Sequence, residues 1–102
     1  SLDLRVGSPF YKKHISINLD AKKNNMVYIP PGVAHGFCSI KSDTILVYNT
    51  TTVYNPKKDS GVHWDSAGIS WPIKKPIISE RDLNLINLKN FKSPFIFKKE
   101  NF

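Results

Sequence analysis

The sequence is poor in several features that mark particular classes of protein. It has one cysteine, five glycines and eight acidic residues among its 102 positions. A single thiol cannot form an internal disulfide or a zinc site built from several cysteines. No apolar run approaches the ~20 residues of a membrane-spanning helix, and the N-terminus lacks a basic-then-apolar secretion signal. We therefore expect a cytoplasmic protein without a membrane partner.

Basic residues, mostly lysines, outnumber the acidic ones and give a net charge of +7. An excess of this sign favours an anionic partner, either a nucleic acid or a phosphorylated small molecule. The lysine pairs are Lys12-Lys13, Lys22-Lys23, Lys57-Lys58, Lys74-Lys75 and Lys98-Lys99. Their spread indicates a solvated surface, so we expect no nucleic-acid partner. A basic nucleic-acid-binding β-domain is the alternative, and it predicts strongly salt-dependent binding.

Short apolar segments separated by turn signals indicate an all-β sandwich or barrel with little helix. Ile15, Ile17 and Leu19 alternate with polar residues, which predicts a half-buried strand over 14–19. The other predicted strands are 26–29, 36–40, 44–54 and 61–64. A chain of this length makes one domain with a marginal core, so we expect an oligomer or a further segment to complete it.

Two local signals are specific enough to place a turn and a helix. The Pro30-Pro31-Gly32 sequence predicts a reversal, because proline cannot donate to a strand ladder and glycine permits a tight turn. Ser79 predicts the N-cap of a short helical turn, with its hydroxyl on the amide three residues later and Asp82 reaching back.

Four segments, in order, resemble the dTDP-4-dehydrorhamnose 3,5-epimerase family. They are residues 3–10 (DLRVGSPF), 28–37 (YIPPGVAHGF), 46–56 (LVYNTTTVYNP) and 61–82, which holds GVHW, GISWP and ISERD. The resemblance covers positions 1–84 and implies a cupin-type jelly-roll barrel that is incomplete at its N-terminus. A short helical turn would follow, then a basic extension over 85–102. The family usually forms homodimers and uses no metal or other cofactor.

The reaction that this resemblance implies is epimerisation of a nucleotide-linked 4-keto-6-deoxyhexose for rhamnose-type sugars of a bacterial surface polysaccharide such as lipopolysaccharide. A base removes a proton beside the ketone, and an acid returns one to the opposite face. Tyr48 matches the family's tyrosine acid, and Asp82 matches the aspartate that orients the base histidine. A strand aromatic and a helix-cap carboxylate are their structural alternatives.

Three more residues match positions that bind the substrate. His35 matches a substrate-contacting histidine, and Arg81 matches a basic residue that contacts the phosphates. Asp59 falls where relatives have a longer glutamate that contacts the nucleotide. Val53 replaces an aromatic that can stack on the base, which puts the choice of nucleotide in doubt.

The family's base histidine lies in a Leu-Arg-Gly-Leu-His-type segment that these 102 residues do not contain. His14 and His63 fall at positions that the family does not use for catalysis. We therefore expect the chain by itself to be inactive as an epimerase. The alternative is a non-catalytic cupin remnant that binds a nucleotide sugar or completes an oligomer.

Overall fold

A computed structural model describes residues 1–23 and 25–98 of the chain. Its regular elements are strands β1 (Leu2–Asp3) and β2 (Val33–Ala34), helix α1 (Glu80–Leu83) and a 3-10 turn over Leu88–Asn90. The two strands pair antiparallel, with Leu2 opposite Ala34 and Asp3 opposite Val33. Little helix and a short two-stranded sheet agree with a β-rich fold.

The Pro-Pro-Gly turn brings β2 against β1, as the sequence predicts. Gly32 has a φ of +88°, a value that glycine adopts without steric cost. Its carbonyl accepts a hydrogen bond from the Leu4 amide at 3.0 Å. A β-carbon at this position would lie 2.5 Å from Cγ of Arg5, so glycine also permits the close approach of the two segments.

The core of the described residues is small and joins the two ends of the sequence. Leu2, Leu4 and Leu88 are its buried apolar side chains. The partly buried residues packed against them are Ala34, Val62, Ala67 and Phe91. Burial of so few large side chains provides limited hydrophobic stabilisation, at roughly 1.5–3 kcal/mol for each fully buried one.

Residues 85–98 pack against the N-terminal segment. The Val6 amide donates to the Phe95 carbonyl, the Phe97 amide donates to the Val6 carbonyl, and both bonds are 2.9 Å long. The Ser93 hydroxyl donates to the Leu4 carbonyl. The domain boundary expected at residue 84 stays a prediction. The described residues after it, 85–98, contribute Leu88 to the core and pack Phe91 against it. Residues 99–102 of the predicted extension lie outside the described residues.

Most of the predicted strands do not form in this structure. The described residues of 14–19, 26–29, 36–40 and 44–54 contain no strand, although His14 makes an isolated antiparallel bridge to Leu2. Val62, in the fifth segment, makes an isolated parallel bridge to Ile86. A strand requires a paired neighbour as well as a suitable sequence, and these segments lack continuous ladders.

Candidate functional site

An acidic–basic cluster forms where α1 meets the loop after Asn55. The guanidinium of Arg81 lies 2.6 Å from Oδ2 of Asp59 and 2.6 Å from Oδ1 of Asp82. Both contacts are short ion pairs from the two ends of one planar fork, and the contact to Asp82 is also a charge-assisted hydrogen bond. We call Asp59, Arg81 and Asp82 the Arg81 cluster.

Local structure on each side holds the Arg81 cluster in place. Ser79 caps α1 by accepting a hydrogen bond from the Asp82 amide at 3.2 Å, which confirms the predicted cap. The predicted return bond from Asp82 to Ser79 is wrong, because the described residues contain no such bond and the Asp82 carboxylate binds Arg81. On the other side, the Asn55 carbonyl accepts from the amides of Lys58 and Asp59, both at 3.0 Å. This turn presents Asp59 to the helix.

The electrostatics of the cluster favour a permanently charged arginine. Partial burial acts to lower the pKa of Arg81, but the carboxylates of Asp59 and Asp82 outweigh it and raise that pKa above its ordinary value. The Arg81 side chain remains 53% exposed, so solvent still screens the pairs. A phosphate could therefore reach the guanidinium by replacing a carboxylate oxygen with one of its own.

Tyr48 and His35, the other two predicted site residues, make no hydrogen bond with the Arg81 cluster among the described residues. Tyr48 is 70% exposed. His35 is also exposed and comes directly after β2, beside Gly36, which approaches the ring of Trp71. Within residues 1–23 and 25–98, no hydrogen bond or ion pair joins Tyr48 or His35 to the cluster. The structure thus joins Asp59, Arg81 and Asp82 and leaves these two separate.

No histidine among the described residues forms a hydrogen bond with the Asp82 carboxylate. His14 bridges to Leu2, and Nδ1 of His63 accepts a hydrogen bond from the Asp65 amide at 3.3 Å. Among the described residues, no group of three or more His, Cys, Asp and Glu side chains could hold a metal ion. The Arg81 cluster offers a guanidinium that solvent and an anion can reach, while the roles of Tyr48 and Arg81 toward a substrate stay predictions.

Sequence reasoning assigned no role to a second charged network, in which the carboxylate is buried and the arginine is half-buried. Asp3 accepts hydrogen bonds from Nε and Nη2 of Arg5, both at 3.0 Å, and from the Ser8 hydroxyl at 2.6 Å. The Arg5 side chain, against the opposing effect of burial, lowers the pKa of Asp3 to about 2. The sequence signal for this ion pair is the Asp-Leu-Arg spacing at the start of the DLRVGSPF segment, which places a carboxylate two residues before a guanidinium.

Comparison with known proteins identifies the family. The family model described as dTDP-4-dehydrorhamnose 3,5-epimerase matches residues 1–90. The chain belongs to this epimerase family. The match includes all five predicted site residues and confirms the resemblance carried by the sequence motifs.

Curated relatives carry epimerase names from several organisms. The dTDP-4-dehydrorhamnose 3,5-epimerase of Shigella flexneri is 35% identical over 86 residues, which are 82% of this chain and 48% of the relative. That of Sinorhizobium fredii is 39% identical over 85 residues, 80% of this chain and 44% of the relative. A dTDP-4-dehydrorhamnose 3-epimerase of Streptomyces niveus is 37% identical over 89 residues, 85% of this chain and 43% of the relative.

The chain spans about half the length of the epimerase relatives that it matches. Comparison with solved structures finds no significant match. In the described part of the chain, no helix is both long and apolar enough to cross a membrane.

Proposed function

We propose that this chain acts in the epimerisation of a dTDP-linked 4-keto-6-deoxyhexose at one or both carbons beside the ketone. The observation that carries the proposal is the family match over residues 1–90, which spans Tyr48 and the complete Arg81 cluster. Relatives named as 3,5-epimerases and as 3-epimerases both match this chain, so the number of inverted centres is left open.

The proposed chemistry divides between groups on opposite faces of the sugar. A base removes the acidic proton beside the ketone, and the resulting enolate is protonated from the other face. Tyr48 serves as the acid in this scheme. Its exposed phenol has no intramolecular hydrogen bond among the described residues, so the proton remains free for transfer.

Asp82 orients the base histidine in the proposed reaction, and that histidine is not one of the three in this chain. Orientation would require the Asp82 carboxylate to exchange its 2.6 Å contact with Arg81 for an imidazole N–H. The released guanidinium would then be available to the diphosphate of the substrate. Asp59 and His35 complete the proposed substrate contacts.

A deuterium-exchange experiment tests this proposal. The chain is incubated in heavy water with the dTDP-linked 4-keto sugar, alone and together with a polypeptide comprising the unmatched part of the Shigella flexneri relative. We expect no deuterium uptake beside the ketone with the chain alone and clear uptake once the two polypeptides form a complex. Uptake at enzymic rates by the chain alone overturns the missing-base argument, and a demonstrated complex without uptake overturns the epimerase proposal.

Tyr48→Phe provides the matched variant in the same complex. It removes the transferable proton and keeps the ring. We expect the rate of inversion to fall by roughly 10²–10⁴-fold, the usual contribution of general acid catalysis. Tyr54→Phe is the control, because Tyr54 is 69% exposed, close to the 70% of Tyr48, and should leave the rate unchanged.

One observation favours a second candidate, a nucleotide-sugar-binding module without catalysis. In the described residues no histidine contacts Asp82, whose carboxylate binds Arg81 instead. This candidate predicts saturable binding of the dTDP-sugar, weakened by Arg81→Ala, with no deuterium uptake in any combination of polypeptides.

The setting of the protein forms part of the same proposal. We place it in the cytoplasm, as a homodimer that supplies deoxysugars for a surface polysaccharide such as lipopolysaccharide. The many exposed apolar side chains support an assembly larger than this chain. Sedimentation of the complex at two concentrations tests the dimer.

A further inference from the structure

The turn before Asp59 carries two lysines next to the Arg81 cluster. Its backbone is held by Asn55, whose side-chain oxygen accepts a hydrogen bond from the Lys57 amide at 3.1 Å. The Asn55 carbonyl accepts from the amides of Lys58 and Asp59, both at 3.0 Å. Both lysines are exposed, and neither forms an ion pair among the described residues. The turn therefore fixes the backbone of this lysine pair and leaves its ammonium groups in solvent.

An ion pair fixes the position of this turn relative to α1. Oδ2 of Asp59 lies 2.6 Å from the guanidinium of Arg81. Consecutive Cα atoms are about 3.8 Å apart, so the backbone of the lysine pair lies within about 8 Å of that of Asp59. This distance is comparable to the Debye length, which is about 8 Å at physiological ionic strength. The two lysines are therefore close enough to attract an anion that binds at Arg81.

The charge balance of the Arg81 cluster leaves it short of positive charge for an anionic ligand. One guanidinium and two carboxylates give the cluster one net negative charge. In the proposed reaction Asp82 turns to the base histidine, and Arg81 stays paired with Asp59 as a neutral unit. A diphosphate is strongly anionic near neutral pH, and a neutral ion pair attracts it weakly. Lys57 and Lys58 carry the positive charge that the cluster lacks.

We propose that Lys57 and Lys58 attract the diphosphate of the nucleotide sugar and hold it beside Arg81. The inference rests on the proposed function, and it gives a binding role to two residues to which the sequence motifs assigned none. A lysine ammonium suits this role, because it acts as a point charge on a flexible side chain and needs no fixed approach to a phosphate. The lysines bind and orient the substrate and take no part in proton transfer.

A second turn of the chain provides a matched control. Oδ1 of Asp20 accepts a hydrogen bond from the Lys22 amide at 2.9 Å, and the Asp20 carbonyl accepts from the Lys23 amide at 3.0 Å. This lysine pair is also exposed and also has a carboxylate within two residues. Among the described residues, no hydrogen bond or ion pair links it to the Arg81 cluster. The two pairs thus share charge, exposure and backbone support and differ in their contact with the candidate site.

Calorimetric titration of the chain with dTDP tests the proposal. The double variant Lys57→Gln/Lys58→Gln removes both charges and keeps long polar side chains. We expect it to weaken dTDP binding by roughly tenfold at low salt, because two charges near the diphosphate are lost. Lys22→Gln/Lys23→Gln removes the same charge and should weaken binding by less than about twofold. The difference between the variants should shrink at high salt, which screens exposed charges.

Two further measurements separate charge at the diphosphate from other effects of the substitutions. Lys57→Arg/Lys58→Arg keeps the charge and should retain most of the affinity, and a loss as large as that of the glutamine variant would argue against an electrostatic role. Thymidine, which lacks the phosphates, should not distinguish the chain from the glutamine variant. Thermal unfolding midpoints of all the variants report that they keep the fold.

Several results would overturn the proposal. These are no measurable binding of dTDP by the unaltered chain, an unchanged affinity in Lys57→Gln/Lys58→Gln, or equal weakening by the two glutamine variants, which would identify the net charge of +7 as the source of attraction. Deuterium uptake, measured in parallel, separates this proposal from the epimerase proposal. Affinity that depends on Lys57 and Lys58 without uptake in the complex overturns the epimerase alone, and uptake without that dependence overturns the role of the lysines alone.

Discussion

Two regions of this chain differ sharply in how they are held. Residues 2–8, the enclosed region, lie between β2 on one side and residues 93–97 on the other, and Leu2, Asp3, Leu4 and Ser8 in this region are buried. Residues 39–59 are exposed throughout, and they contain two of the five predicted site residues, Tyr48 and Asp59. The difference shows that stability in this chain is concentrated at its ends, whereas candidate chemistry lies partly in a segment without a ladder to support it.

The largest expected effect comes from removing a core side chain from the enclosed region. Leu4→Ala should lower the free energy of unfolding by about 2–5 kcal/mol, because it removes buried methyl groups and leaves a cavity. Val53→Ala, in the exposed region, should change it by less than about 0.5 kcal/mol. Urea unfolding of both variants tests the contrast. Equal effects would mean that the two regions are equally packed.

We expect the loss of folding stability at low pH to come from the enclosed region, where Asp3 lies. The pKa of Asp3 is lowered to about 2, so this carboxylate stabilises the fold above its ordinary pKa of 3.8. That contribution is lost as the pH falls from about 4 towards 2, because the unfolded chain takes up the proton first. Asp3→Asn should cost about 2 kcal/mol near neutrality and remove this part of the pH dependence. Unfolding midpoints measured between pH 2 and pH 6 provide the check, and an unchanged pH profile in the variant would contradict the assignment.

Two glycines sharpen the comparison further. Gly32→Ala should destabilise the chain by about 1–3 kcal/mol, because its φ is +88° and the new β-carbon would meet Arg5. Gly68→Ala is the matched control: its φ is +75° with open space around it, so only about 1 kcal/mol of backbone strain is expected. Thermal unfolding of the pair isolates the steric contribution of the Arg5 contact. Identical losses would argue against a close approach at Gly32.

The smallest expected effect concerns the helix beside the Arg81 cluster. Ser79→Ala removes the hydroxyl that accepts from the Asp82 amide and should cost about 0.5–1 kcal/mol. Ser79→Asp should retain most of the stability, since aspartate also caps helices well. Chemical denaturation distinguishes the two variants. A larger loss for aspartate than for alanine would show that added negative charge beside Asp59 and Asp82 outweighs the cap.

Local signals predicted the parts of the fold that depend on a few adjacent residues. The turn at Pro30-Pro31-Gly32 follows from fixed φ angles and a missing amide donor. The cap at Ser79 follows from the reach of one hydroxyl. Motif matching identified the family, because the order and spacing of several short segments are specific to it. The same segments did not predict correctly which residues form strands.

Predictions that needed a partner from elsewhere in the chain were less successful. The alternation of apolar and polar residues over 14–19 predicts a strand. In this structure no neighbouring segment pairs with these residues in a continuous ladder, so no strand forms. The ion pair between Asp59 and Arg81 crosses more than twenty residues, and nothing local to either residue signals it. The role of each as a substrate contact stays a prediction, as do the roles of Tyr48, Asp82 and His35.

The sequence by itself determined the turn that sets β2 against β1 and the cap of α1, because each depends on residues close together in the chain. It also determined the family, through the order and spacing of four motifs between residues 3 and 82. Only the tertiary structure decided that Leu88 joins Leu2 and Leu4, that Asp3 is buried against Arg5 and Ser8, and that Arg81 lies between two carboxylates. Burial depends on which distant segments meet, and the loop-closure entropy of bringing them together must be repaid by contacts that no local pattern encodes.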